Sequence, residues 1–114
     1  MGVEPLREPP VRAIDEVDGA VVVRLRGELD LYNAEDVRSA LADAAARKPP
    51  RIVVDLSEVE FVDSTVLGVL IETRSRAGRG FVLAAPQHET RRTLQISGLD
   101  RHLTVCDTVE DAVS

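Results

Sequence analysis

The chain has a single cysteine (Cys106), a single lysine (Lys48), no tryptophan, and aromatic residues at only 3% of its 114 positions. One cysteine cannot close an internal disulfide, so nothing points to an oxidising compartment. No apolar run approaches the ~18 residues that a membrane-spanning helix needs. The residues after Met1 carry no secretory apolar core, and Leu6 stands where a myristoylation signal needs Ser or Thr. A cytoplasmic protein without a membrane partner is expected. The net charge is -6, and Arg is not interleaved with aromatics. Phosphate contacts dominate nucleic-acid affinity, so no nucleic-acid partner is expected. Phosphate-binding Walker loops, GxGxxG and GxSxG patterns are missing. His88 and His102 do not supply a clustered metal-ligand set. No cofactor, no metal and no catalytic residue is expected.

What is there suits one globular domain. Apolar residues make up 44% of the chain, mainly Val, Leu, Ile and Ala. A chain of this length buries roughly two-thirds of its unfolded surface. Residues 1–10 are polar and Pro-rich and read as a loose extension, with the domain over 11–114. "VRAIDEV" and "AVVVRLRG" read as strands joined at Asp18-Gly19, a hairpin signal. "NAEDVRSALADAAARKPP" reads as a helix capped by Asn33 and stopped by Pro49 and Pro50. "RIVVDL" is a short buried strand. A helix follows from about Ser64 to Arg76, then a strand in "FVLAAP" and a helix in "HETRRTLQIS" closed by Gly98. "HLTVC" is a weak strand, and Asp107 with Glu110 resembles a capping box for a last short helix. The order predicts an α/β domain: an N-terminal hairpin, then a mixed, mostly parallel sheet of four to five strands with right-handed crossovers.

Function is expected beyond the carboxyl ends of such strands. There, "FVDSTVLGVL" places Asp63, Ser64 and Thr65 between two apolar runs. Either Asp63 or Ser64 can cap the helix. The bland reading is a plain cap. The sharper one is an exposed hydroxyl at a helix start, where N–H groups and the dipole accommodate a phosphate. Val66, Leu67, Val69, Leu70 and Ile71 lie nearly all around the first turns. Leu67, Leu70 and Ile71 are expected in the core and Val66 at an exposed contact. The acidic "GELDLYNAED", Gly27 to Asp36, is a solvated loop and cap, or a surface for a basic partner. Asp55 sits where a phosphoaccepting aspartate would, but the acidic pair and the later lysine which that chemistry needs are missing. Cys106 with His102, on one predicted strand, is a weak pairing; a small buried thiol is the commoner case.

"GELD", "FVDSTVLGVL" and "ISGLD" together resemble the STAS-domain anti-sigma factor antagonists of bacteria, over about Val11 to Val113. The family motif usually reads Asp-Ser-Ser/Thr-Gly-Leu-Gly-Val. Asp63, Ser64, Thr65, Leu67, Gly68 and Val69 match it, and Val66 replaces the usual Gly. The resemblance implies a partner switch. The unmodified protein binds an anti-sigma factor, itself a serine kinase, and frees a sigma factor. The kinase uses ATP to phosphorylate the serine after the motif aspartate, here Ser64, and a serine phosphatase resets it. On this reading the chain is a substrate and binding module, with Glu28, Asp30, Asp63, Thr65, Val66 and Leu67 at the interface. The alternative is an accessory STAS subunit of a transport or sensory complex.

Overall fold

A computed structural model describes residues 8–114. Residues 1–7 of the expected extension lie outside the described residues. Glu8, Pro9 and Pro10 lie against the second strand: Arg26 donates through its backbone N–H to the Pro10 carbonyl and through Nε to that of Pro9, and it pairs with Glu8.

The elements run β1 (Val11–Val17), β2 (Ala20–Leu29), α1 (Ala34–Ala46), β3 (Ile52–Val62), α2 (Ser64–Ala77), β4 (Phe81–Ala84), α3 (His88–Ile96), β5 (Thr104–Cys106) and α4 (Val109–Val113). The sheet order is β1-β2-β3-β4-β5. β1 and β2 are antiparallel, through a tight turn with Asp18 and Gly19 at positive φ; every other pair is parallel. The expected α/β architecture is therefore present, with five strands.

Each parallel crossover advances the same way, and α1, α2 and α3 share one face. Their buried residues, among them Val37, Leu41, Val66, Leu70 and Leu94, join Val23, Leu25, Val54, Leu56 and Leu83 in the main core. α4 covers the opposite face, where Ala112 packs with Val22, Val53, Val82 and Ala84. Strand residues therefore alternate between two buried faces, which is why "RIVV" is apolar throughout.

β3 is longer than the sequence suggests. β4 accompanies it only over Ile52–Asp55, and the rest pairs with β2 alone. Two register shifts shape this ribbon: Arg24 pairs with Asp55 but Arg26 with Glu58, and Gly27 with Val59 but Glu28 with Phe61. The extra residue at the second shift lets both Val59 and Val62 face the core, at 0% and 3% exposure; a regular strand would place them on opposite faces. Gly27, on the strand facing this shift, has φ 74°, a conformation that glycine adopts without strain. The broken alternation in "SEVEFV" hides the strand from a period-two reading.

Three local expectations are corrected. Asn33 occupies the cap position of α1 but caps nothing; it accepts from the Asp30 N–H (2.9 Å) and donates to the Glu28 carbonyl (2.8 Å), holding the acidic loop. The cap of α4 is Thr108, whose hydroxyl accepts from the Asp111 N–H, rather than Asp107 with Glu110. His102 follows a 3-10 turn over Leu99–Arg101 and is not in β5, so it shares no strand face with Cys106.

Candidate functional site

The ribbon delivers two chain ends to one edge, beyond the carboxyl ends of the sheet. β2 hands over to the loop Asp30–Asn33, and β3 hands over to Asp63 and α2. Asp63 joins them. Its Oδ1 accepts from the Val66 N–H (3.1 Å), which makes it the N-cap of α2, and its Oδ2 accepts from the Leu31 N–H (3.0 Å). Its own N–H donates to the Leu29 carbonyl at 3.0 Å. Asp63 rather than Ser64 is thus the cap. Ser64 becomes the first helical residue, with its hydroxyl outside the cap, and it is exposed, as is Thr65.

The geometry brings "GELD" to this turn. Glu28 is exposed on the ribbon opposite Phe61. Asp30 turns its carboxylate into its own loop, where Oδ1 accepts from the Tyr32 N–H. Leu31 and Tyr32, which the sequence reading passed over, stand out at 64% and 85% exposure. Alternating polar and apolar letters in "DLYN" do not distinguish a buried Leu from an exposed one.

Val66 is not the exposed contact that the sequence suggests. It is fully buried at 0% exposure, and Leu67 is nearly so, while Ile71, expected in the core, is 38% exposed. The cap decides this. A helix starting at Ser64 puts Val66, Val69 and Leu70 on one face at i, i+3, i+4, and that face meets the sheet. Val66 and Leu67 support the turn from beneath. The outer stripe of α2 is Ser64, Gly68 and Ile71.

Asp55 belongs to a different site. It is 3% exposed, on the α4 face. Its Oδ2 accepts from Arg24 Nη1 (2.9 Å) and its Oδ1 from the Ser57 N–H (2.9 Å). Arg24 also pairs with Asp15, and Arg12 reaches Asp55 at 3.8 Å and Glu58 at 2.7 Å. Burial pushes the Asp55 carboxyl up, but hydrogen bonds from Ser57 and Arg24 and the Arg24 charge outweigh it and hold the group below the usual carboxylate range. The Arg24 guanidinium is raised, first by its bond to Asp15, against the opposing effect of burial. A cavity of about 570 Å³ lies over this network, with Arg12, Arg24, Asp55, Ser57 and Thr108 in its lining. Each of these carboxylates is engaged by a guanidinium group. Among the described residues, no group of His, Cys, Asp and Glu is arranged to hold a metal, and no helix is long and apolar enough to cross a membrane.

An exposed serine beside a helix-capping aspartate, at the end of a mostly parallel sheet with an antiparallel hairpin, defines a class. The chain belongs to the STAS-domain family, whose profile matches residues 11–112. It is 33% identical over 99 residues to the anti-sigma-F factor antagonist RsfB of Mycobacterium tuberculosis, covering 85% of this chain and 81% of the relative. It resembles the crystal structure of an anti-sigma factor antagonist from Mycobacterium paratuberculosis, with TM-score 0.83 and 35% identity over 89% of this chain and 88% of that one. It also resembles the Bacillus cell fate determinant SpoIIAA, solved in a phosphorylated form, with TM-score 0.58 and 30% identity over 89% of this chain and 96% of that one.

Proposed function

We propose that this protein is an anti-sigma factor antagonist. It binds an anti-sigma factor that is also a serine kinase, and phosphorylation of Ser64 switches the binding off. The observation that carries the reading is the placement of Ser64: exposed, first in α2, and relieved of capping by Asp63. A hydroxyl there is open to a kinase. A phosphate on it adds about -1.5 to -2 charges near the N–H groups of a helix start, so the fold tolerates it. A docked partner does not, because a hydrated dianion beside the Asp63 carboxylate must then be desolvated at the interface. Relatives named as anti-sigma factor antagonists support the role, and a relative solved in a phosphorylated form supports the modification.

In this scheme the chain is a substrate and a binding module, reset by a serine phosphatase. The partner surface is complementary to an acidic one. Charge reversal at Glu28 and Asp30 together is expected to weaken binding and flatten its salt dependence in a folded variant.

The test uses purified bacterial anti-sigma factors, the anti-sigma-F factor of M. tuberculosis among them. Each is titrated with the unmodified protein, then incubated with it and ATP. The expected result is tight binding to one factor and the mass gain of one phosphate, mapped to Ser64 and lost in Ser64→Ala. No binding by any factor, or a phosphate mapped elsewhere, contradicts the proposal.

A further inference from the structure

The amino ends of the parallel strands gather cations. Arg47 and Lys48 follow α1, Arg79 follows α2, and Arg101 precedes β5. The backbone brings these connections to one edge. A Cβ on Gly80 would stand 2.7 Å from the Pro50 carbonyl oxygen, and the Val21 N–H donates to the Arg51 carbonyl at 3.0 Å. Ile52 pairs with Phe81, and Val82 with Thr104. Arg47, Lys48, Arg79 and Arg101 are exposed, and none has an ion pair among the described residues. Arg51, by contrast, is engaged by the Ala112 and Ser114 carbonyls. Asp18, Asp43 and Asp100 also lie toward this edge, outnumbered by its cations, so it is basic on a chain of net charge -6. The far end has the opposite charge. β3 runs from Ile52 at the basic edge to Val62, about 30 Å away at roughly 3.3 Å per residue. On its far ribbon, Glu8, Glu28, Glu58 and Glu60 line a cavity of about 520 Å³ with Arg26. Arg26 pairs with Glu8 and Arg12 with Glu58, while Glu60 is exposed and has no ion pair among the described residues.

We propose that the basic edge of one molecule docks at the glutamate-lined cavity of a second copy, so that the protein self-associates head to tail. Guanidinium groups bind carboxylates through paired, charge-assisted hydrogen bonds, and this edge presents three arginines beside its lysine. The two patches are about 30 Å apart, well beyond the Debye length of about 8 Å at physiological salt. Each patch is therefore met locally, and the net charge does not prevent a contact between unlike ends. Other polyanions suit the edge less. Phe81, the aromatic nearest it, is fully buried, so no ring is offered for base stacking. An extended phosphate surface would also meet the acidic remainder of the chain. The contact joins different surfaces of the two copies, so each added molecule leaves one free end of each kind, and assembly continues past the dimer. The inference does not depend on Ser64 or on the antagonist reading.

The experiment is sedimentation velocity of the full chain over a concentration series, at about 0.1 M salt and at about 1 M salt, where the Debye length falls from about 10 Å to about 3 Å. Two variants accompany wild type: Lys48→Glu with Arg79→Glu at the basic edge, and Glu58→Lys with Glu60→Lys at the cavity, each checked by circular dichroism. Wild type is expected to rise in mass with concentration, past the dimer, at the lower salt, and to associate at least tenfold more weakly at the higher. Each variant alone is expected to stay monomeric, and an equimolar mixture of the two to associate again, because each supplies the end that the other has lost. A wild type that stays monomeric, stops at the dimer, or associates equally at both salt concentrations overturns the proposal. So does association that survives in either folded variant, or a mixture that stays monomeric. Should a variant fail to fold, the wild-type salt series decides alone. A monomeric wild type that binds anionic phospholipid vesicles or duplex DNA overturns the self-contact and assigns the basic edge to that polyanion. All these outcomes leave the Ser64 test untouched.

Discussion

Asp55 and Asp63 each follow an apolar run of β3, and in the sequence both look like aspartates at a strand end. Asp55 faces the α4 side of the sheet, buried, with Arg24 and the Ser57 N–H on its two oxygens. Asp63 lies past the end of the two-stranded ribbon, half-buried, with one oxygen on the first turn of α2 and the other on the loop after β2. One spends its carboxylate inside the fold. The other joins two surface loops and leaves its neighbour, Ser64, outside. A carboxylate near a strand end is thus no indicator of function by itself. What separates the two is whether the bonds they make leave an exposed reactive group beside them.

The comparison predicts a graded series of losses. Asp55→Ala is expected to destabilise most, by about 3 kcal/mol, since it strips a buried partner from Arg24 and an acceptor from Ser57. Asp55→Asn, able to keep an acceptor for Ser57, is expected to lose less; denaturant titration of both checks the order. Because the Asp55 carboxyl is held below its usual range, its contribution is full at neutral pH. That contribution declines as the pH falls from the ordinary carboxylate range through the lower folded-state value. Wild type should therefore lose stability on acidification over that window and Asp55→Asn should lose less, which acid melts of the two proteins measure.

Next comes Val66. Val66→Gly is expected to lose roughly 2 kcal/mol or more, because it opens a cavity under the turn and adds a helix glycine. A loss near 1 kcal/mol would place Val66 at the surface and undo the phase of α2. Asp63→Ala should lose about 1 kcal/mol as a missing cap, and hydrogen exchange at the Leu31 amide should speed up as its acceptor disappears. Ser64→Ala is smallest, within about 0.5 kcal/mol, as for an exposed residue that caps nothing. If Ser64→Ala cost as much as Asp63→Ala, the assignment of the cap would be wrong.

Much of this fold was legible. Turn residues, period-two runs and helix stops placed the hairpin, the five strands and the four helices, because each signal is local. The length of β3 was not legible, since two register shifts break its alternation. The site was legible in outline through the Asp63-Ser64-Thr65 cluster and the "GELD" loop. Its facing was not. Val66 and Ile71 exchanged places because a helix with apolar residues nearly all around offers no moment to orient it, and only the cap at Asp63 fixes the phase. Leu31 and Tyr32 carry no chemical signal as letters; they gain meaning only once their exposure is known.

The central claim is that Ser64 is the point at which a partner is gained or lost. It is tested most directly by titrating the unmodified and Ser64-phosphorylated proteins against the same purified anti-sigma factor, with circular dichroism on both. The account predicts superimposable spectra and binding about a hundredfold weaker for the phosphorylated form, a difference of about 3 kcal/mol. Equal affinity of the two folded forms would contradict it.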